Sequence, residues 1–245
     1  MIKLSVKDVF KNILILFPLV RFIAKKSHKT GILNDNDLVD SRVNELVALM
    51  SKNSIKNASV IEVGPGQNSD TIARIFNSTN VSKAYAVDII KYFSDNFWRN
   101  SGVEFLYRDT QSIQMNSIDL IYCYDVLEHV KHPDLFLKEL RRIVKVSGIV
   151  FLSWDFRDHL HLNNEKKWFD MHKYSKIAWN IQMSNRSSYV NRLILREWIE
   201  LFESSGFKIS MIETLESNIA SNSYEEKYNF RIDPTYRAKV VLKPV

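Results

Sequence analysis

Apolar positions in the first 50 residues recur at helical spacing. Val6, Val9, Phe10, Ile13, Leu14 and Phe17 follow an i, i+3, i+4, i+7 pattern while Lys3, Lys7 and Lys11 take another face, which predicts a basic amphipathic helix. A second stripe, Val39, Val43, Leu46, Val47 and Met50, predicts a helix capped by Asn36 or Asp37. From residue 58 short continuous apolar runs alternate with helical patterns. Residues 58–63, 84–88, 103–107, 118–124 and 149–153 read as buried strands, and residues 69–76, 90–100 and 133–145 as the helices between them, with Gly148 ending the last. A further helix over 193–205, capped by Gly206, precedes strands at 207–212 and 236–242. No crossover helix is evident between those two, so the final strand is expected to run antiparallel. This order predicts an α/β architecture: a seven-stranded, mostly parallel sheet with helices on both faces and an antiparallel last strand.

After Trp154 the rhythm is lost. Residues 154–190 are rich in aromatic, His and Asn side chains without a clean period, the character of a functional insertion at a sheet edge. The expected organisation is a basic arm over residues 1–30 and one domain over residues 31–245 that carries this insertion.

Composition narrows the picture. The 245 residues, 45% hydrophobic and 25% charged, suffice for a large core and exclude a disordered or collagen-like protein. The formal charge of +6 points toward polyanions, but residues 1–30 hold seven basic groups against one acid, and the remaining 27 basic and 27 acidic groups cancel. A neutral body makes a nucleic-acid partner unexpected. The arm suits instead the interface of an anionic membrane, through residues 3–26, or a lid on its own domain. The apolar run at 13–20 follows lysines as a signal peptide does, but it is eight residues long, contains Pro18 and meets Arg21, Lys25 and Lys26. Neither export nor membrane spanning is expected; the protein is expected in the cytoplasm, at most at the inner face of the membrane. The single cysteine, Cys123, excludes an internal disulfide and reads as a small buried hydrophobe.

In an open α/β sheet the ligand lies beyond the carboxyl ends of the strands, so the residues there carry the chemistry. Glu62-Val63-Gly64-Pro65-Gly66-Gln67-Asn68 follows the first strand, and its glycines allow a tight turn and close backbone approach to a ligand. Asp88 ends the second strand, 22 residues past Gly66, where a carboxylate can accept both ribose hydroxyls of a nucleoside. Asp109, after the third, is placed to take the amine of an adenine. A dinucleotide would want a third glycine where Ser69 stands, and Glu62 would repel its pyrophosphate. An acid there suits a cationic, amine-bearing ligand such as S-adenosyl-L-methionine.

Glu62-Val63-Gly64-Pro65-Gly66, Asp88, the stretch 119–130 (Asp-Leu-Ile-Tyr-Cys-Tyr-Asp-Val-Leu-Glu-His-Val), Pro133, Glu139-Leu140-Arg141-Arg142 and Gly148 resemble the class I S-adenosylmethionine-dependent methyltransferases. The resemblance spans residues 58–153 and implies their Rossmann-like fold, with Glu62, Gly64, Gly66, Gln67, Asp88, Asp109, Thr110 and Tyr124 at the cofactor. Asn68 departs from the family's third glycine, and Val146-Ser147-Gly148 from its Pro-Gly-Gly. Asp155-Phe156-Arg157-Asp158-His159, Trp179, Asn191-Arg192-Leu193 and residues 202–207 resemble, more loosely, methyltransferases of bacterial surface-polysaccharide pathways, which implies a small-molecule or lipid-linked sugar acceptor bound at 154–190.

Methyl transfer is an in-line displacement that rewards alignment, and a sugar hydroxyl also needs a general base. His159, beside Asp158 just past the fifth strand, is the first candidate, and His129, past the fourth, the second. Asp155, Asp158, His159 and His161 can also be read as a hard-metal cluster, a minority reading, so no metal is assigned. Trp154, Trp168, Phe169, Tyr174 and Trp179 either line an acceptor pocket or pack in the core. Arg186 and Arg192 are candidates for a pyrophosphate, whereas Arg141, Arg142 and Arg196 read as solvated helix surface. The alternatives are a methyltransferase for a small apolar metabolite of the quinone-precursor type, and a non-catalytic cofactor-binding partner in a membrane-associated assembly.

Overall fold

Seven strands form one sheet in the order β3-β2-β1-β4-β5-β7-β6: β1 (Ala58–Val63), β2 (Val81–Asp88), β3 (Glu104–Tyr107), β4 (Ile118–Tyr124), β5 (Val144–Asp155), β6 (Phe207–Glu216) and β7 (Thr235–Pro244). The strands from β3 to β5 pair in parallel, and β7 runs antiparallel to both neighbours, as expected. This computed structural model describes residues 6–14, 16, 36–67, 70–78, 81–186 and 188–245.

The helices are α1 (Val6–Leu14), α2 (Asn36–Lys52), α3 (Asp70–Ser78), α4 (Asp95–Ser101), α5 (Pro133–Ile143), α6 (Lys176–Met183), α7 (Leu195–Ser204) and α8 (Asn218–Tyr228). Because both faces of the central strands are covered, alternate residues feed two cores. Ile61, Ile121, Cys123, Val150 and Leu152 pack with Leu137 and Leu140 of α5 and Trp198 and Phe202 of α7. On the other face Val60, Leu120, Tyr122 and Phe151 pack with Leu46 and Met50 of α2, Ile72 and Ile75 of α3, and Trp98 of α4. Cys123 is buried, and Trp154, Phe169 and Trp179 are core residues too.

Three expectations need correction. Gly148 does not end a helix: α5 stops at Ile143, and Gly148 lies inside β5, where a Cβ would fall 2.9 Å from the carbonyl oxygens of Ile118 and Asp119. A helix, α8, does separate β6 from β7, although the pair is still antiparallel; its weak amphipathicity hid it from the pattern. The predicted helix at 90–100 begins only at Asp95, after Ser94 caps the N–H of Phe97 (3.3 Å), and Gly102 closes it at φ 73°.

The insertion is ordered by small cores of its own. Phe169 packs with Tyr224 and Ile232, and Met171 with Trp179, Met183 and Val190. α1 packs against α6 of this segment. Asn12, buried between them, donates from Nδ2 to the Ile181 carbonyl (2.8 Å) and accepts from the Asn185 N–H (2.8 Å). The rest of the arm, including Lys3, Phe17, Arg21, Lys25 and Lys26, lies outside the described residues, as do Asn68 and Ser69. No helix among the described residues is long and apolar enough to cross a membrane.

Candidate active site

The loop after β1 turns on Gly64 and Gly66, both at positive φ (71° and 58°). A Cβ on Gly64 would stand 2.5 Å from Val126 Cγ2, so this loop runs directly against the loop after β4. Asp88 ties the loop to the end of β2: Gly66 N–H donates to its Oδ2 (3.0 Å) and Ile90 N–H to its Oδ1 (2.9 Å). Each oxygen keeps lone-pair capacity for a further donor. Burial raises the Asp88 carboxyl above the ordinary range, against the lowering effect of the Ile90 and Gly66 N–H groups. Gln67 is the last described residue of the loop. Asp109 stays exposed beyond β3 and accepts from the Gln111 N–H (3.1 Å).

Glu62 differs from the anion expected. It points into the α2–α3 face of the sheet, is 2% exposed, and accepts from the Tyr122 hydroxyl (3.2 Å). Burial pushes its pKa up to about 8, against the nearby Arg42 guanidinium, so at pH 7 it is mostly protonated. The Thr110 side chain, expected at the cofactor, is engaged within the protein. Its hydroxyl donates to Glu139 of α5, and Arg142, expected to be merely solvated, bonds both Glu139 and the carbonyls of Thr110 (2.9 Å) and Ile113 (2.9 Å). Tyr124, at the end of β4, donates to Glu45 Oε2 (3.0 Å) under the Arg42 guanidinium, 4.2 Å from the ring centre.

Arg42 was missed by the sequence reading. With Arg237 it brackets Asp125, Arg42 Nη2 lying 3.1 Å from Oδ2 and Arg237 Nη2 2.5 Å from Oδ1. Asp125 itself takes a left-handed conformation (φ 57°), one that Asp tolerates better than most residues. The available signal was helical: Arg42 is three residues after Val39 and four before Leu46, on the apolar stripe of α2, where an unpaired cation would be costly. Arg237 belongs to β7 and had no comparable signal.

Past β4 the chain makes a 3-10 turn, Leu127–His129, clamped by Asn191. The Asn191 amide donates to the carbonyls of Leu127 (2.7 Å) and Val130 (3.1 Å), and its N–H to that of Glu128 (2.7 Å). His129 Nδ1 lies 2.6 Å from the Tyr189 carbonyl and so carries the proton of that hydrogen bond. Its ring meets His159, which follows β5, edge-on at 4.9 Å between centres. Burial, then the His129 charge, lowers His159 to about 4. The two candidate histidines are therefore brought together. Asp158 is not seen orienting either ring; it accepts from the Leu160 N–H (2.9 Å), and His161 is among the charges acting on it. Asp155 is held by Arg157, Oδ2 to Nη2 at 2.5 Å, and among the described residues Asp155, Asp158, His159 and His161 do not converge as a ligand set. Arg192 donates to the carbonyls of Tyr174 (2.8 Å) and Ser175 (3.2 Å), and exposed Arg196 pairs with Glu200 at 3.7 Å.

A parallel sheet in this order, with a glycine turn and an acid at adjacent strand ends, defines a Rossmann-like nucleoside-binding domain. Residues 37–214 match the family described as "Methyltransferase domain", and the chain belongs to that family. Among solved structures it resembles the trans-methyltransferase CalH in complex with SAH (14% identity, 97% of this chain and 66% of that one, TM-score 0.55). It also resembles the PH0226 protein of Pyrococcus horikoshii OT3 (18% identity, 86% and 93%, TM-score 0.56) and the [4+2]-cyclase SpnF (14% identity, 82% and 80%, TM-score 0.53). The chain thus spans just under two thirds of CalH. These likenesses concern the fold. No match was found among curated proteins.

Proposed function

We propose that the protein transfers a methyl group from S-adenosyl-L-methionine to a hydroxyl, that of a sugar in a nucleotide- or lipid-linked polysaccharide intermediate. The observation that carries this reading is the placement of the Gly64–Gly66 turn and Asp88 at one mouth of the sheet with the His129–His159 pair past β4 and β5. The residues fit the cofactor. The tight turn on Gly64 and Gly66, both at positive φ, lets backbone come close to a ligand, and Asp88 retains acceptor capacity for ribose hydroxyls. Arg42 and Arg237, bracketing Asp125, supply cations for a methionine carboxylate.

When bound, S-adenosylmethionine supplies an electrophilic methyl group on a sulfonium. The protein's own share is alignment and proton handling. His159, with a pKa of about 4, is neutral at physiological pH, and His129 presents a tautomer fixed by the Tyr189 carbonyl. His159 therefore offers a lone pair to an acceptor hydroxyl. The 154–190 segment, built on its own small cores, is the acceptor platform.

The test is incubation with methyl-labelled S-adenosylmethionine and an extract of cell-surface glycan precursors. Label is expected in a sugar of that fraction. Label in quinone-type lipids alone, or in nothing despite tight cofactor binding, overturns the sugar assignment.

A further inference from the structure

One cluster beside the proposed acceptor site was not anticipated from the sequence. Glu128, His129 and His159 each offer a ligand atom, and these three atoms lie within 4.8 Å of one another. Donors around a tetrahedral divalent ion at about 2 Å stand roughly 3.4 Å apart, so a set within 4.8 Å has to draw in by at most about 1.4 Å to hold one. Glu128 is 2% exposed; its Oε1 receives a long contact from the Asp155 N–H (3.4 Å), its own N–H also acts on the carboxyl, and its Oε2 has no hydrogen-bond partner among the described residues. A buried carboxyl left in this state must keep its proton or be completed by a cation. Asp125 and Asp155 lie close enough to act on it electrostatically and add negative potential, tempered by their own arginines.

The supporting shell has the form a metal-binding histidine requires. His129 holds its Nδ1–H against the Tyr189 carbonyl at 2.6 Å, which fixes ring and tautomer as outer-shell partners of ligating histidines do. Asn191 clamps the turn that carries Glu128 and His129 from its other side. We infer that Glu128, His129 and His159 form a binding site for one divalent transition-metal ion. Two imidazoles and one carboxylate suit zinc, manganese, iron(II) or cobalt(II) better than magnesium, and three protein ligands leave positions open.

The role of the ion rests on the methyltransferase reading; its binding does not. An acceptor hydroxyl coordinated at an open position has a lowered pKa, as water does on a metal. Its proton leaves to solvent, its oxygen forms the new bond to the methyl carbon, and sulfur keeps the electron pair of the broken C–S bond.

The test uses the untagged full chain, stripped with a chelator and dialysed. Titration with cobalt(II) is expected to give visible d–d absorption saturating at one equivalent, and calorimetry with zinc the same stoichiometry. His159→Ala and Glu128→Gln should each weaken binding about 10–100-fold. His159, only partly buried, serves as the control should the Glu128 variant fail to fold. S-adenosylmethionine affinity measured on the same samples separates the two readings: retained cofactor binding without stoichiometric metal overturns the metal site alone, and lost cofactor binding with metal retained overturns the methyltransferase reading. Metal binding unchanged in His159→Ala overturns the assignment of these ligands.

Discussion

At Gly64 two constraints coincide, a φ of 71° and a Cβ position 2.5 Å from Val126 Cγ2. Gly64→Ala is expected to lower stability by about 1–3 kcal/mol, through strain and overpacking together. Adding Val126→Ala should recover only the steric part, which a denaturation midpoint series on both variants would measure; full recovery would mean that backbone strain is unimportant. Glu62 makes a different kind of prediction. Its folded pKa of about 8 exceeds the ordinary 4.5, so the stability linked to its protonation is complete below pH 4.5 and is lost as pH rises through 8. Glu62→Gln cannot ionise. The wild type should therefore lose a few kcal/mol more than this variant between pH 5 and pH 9, to order of magnitude. Parallel stability curves in urea melts across that range would refute the burial argument. A charge at position 62 was legible in the sequence, but its protonation was not, because desolvation depends on what α2 and α3 place over it.

Among the elements, α1 and β5 carry the clearest tests. Asn12 joins α1 to α6 through two hydrogen bonds of 2.8 Å while Phe10 and Ile13 remain exposed. Asn12→Ala should lower stability by about 1–3 kcal/mol, since it leaves the Ile181 carbonyl and the Asn185 N–H without this partner. It should also hasten tryptic cleavage at Lys7 and Lys11. An unchanged cleavage rate would detach the helix from the domain and return it to the membrane reading. In β5, Gly148→Ala would bring a methyl group to 2.9 Å from two backbone oxygens that cannot move independently. A loss of about 1–3 kcal/mol is expected in thermal melts. The apolar run made β5 legible over 149–153; its start at Val144 was not, because pairing with Ile118 extends the strand through polar residues.

For the whole molecule, occupancy of the proposed cofactor site should appear as stability. Ligand at 100 times its dissociation constant adds about 2.7 kcal/mol, which in a chain of this size is roughly 5–10 °C in Tm. Asp88→Ala should abolish the shift at the same ligand concentration, because it removes the ribose acceptor and the anchor of the Gly66 N–H. A full shift in that variant would displace the cofactor from the β1–β2 mouth.

The seven strands, their parallel run and the candidate-site residues at the ends of β1, β2 and β4 follow from the sequence by itself, since buried strands and glycine turns are local patterns. Asp88 was legible for that reason, and so were His129 and His159 as separate candidates. Only the tertiary structure decided that the two histidines meet with Glu128, that Arg42 and Arg237 bracket Asp125, and that Thr110 turns to Glu139. Apart from the sequence neighbours Glu128 and His129, those contacts join residues from 29 to 112 positions apart, and no local period encodes such a pairing.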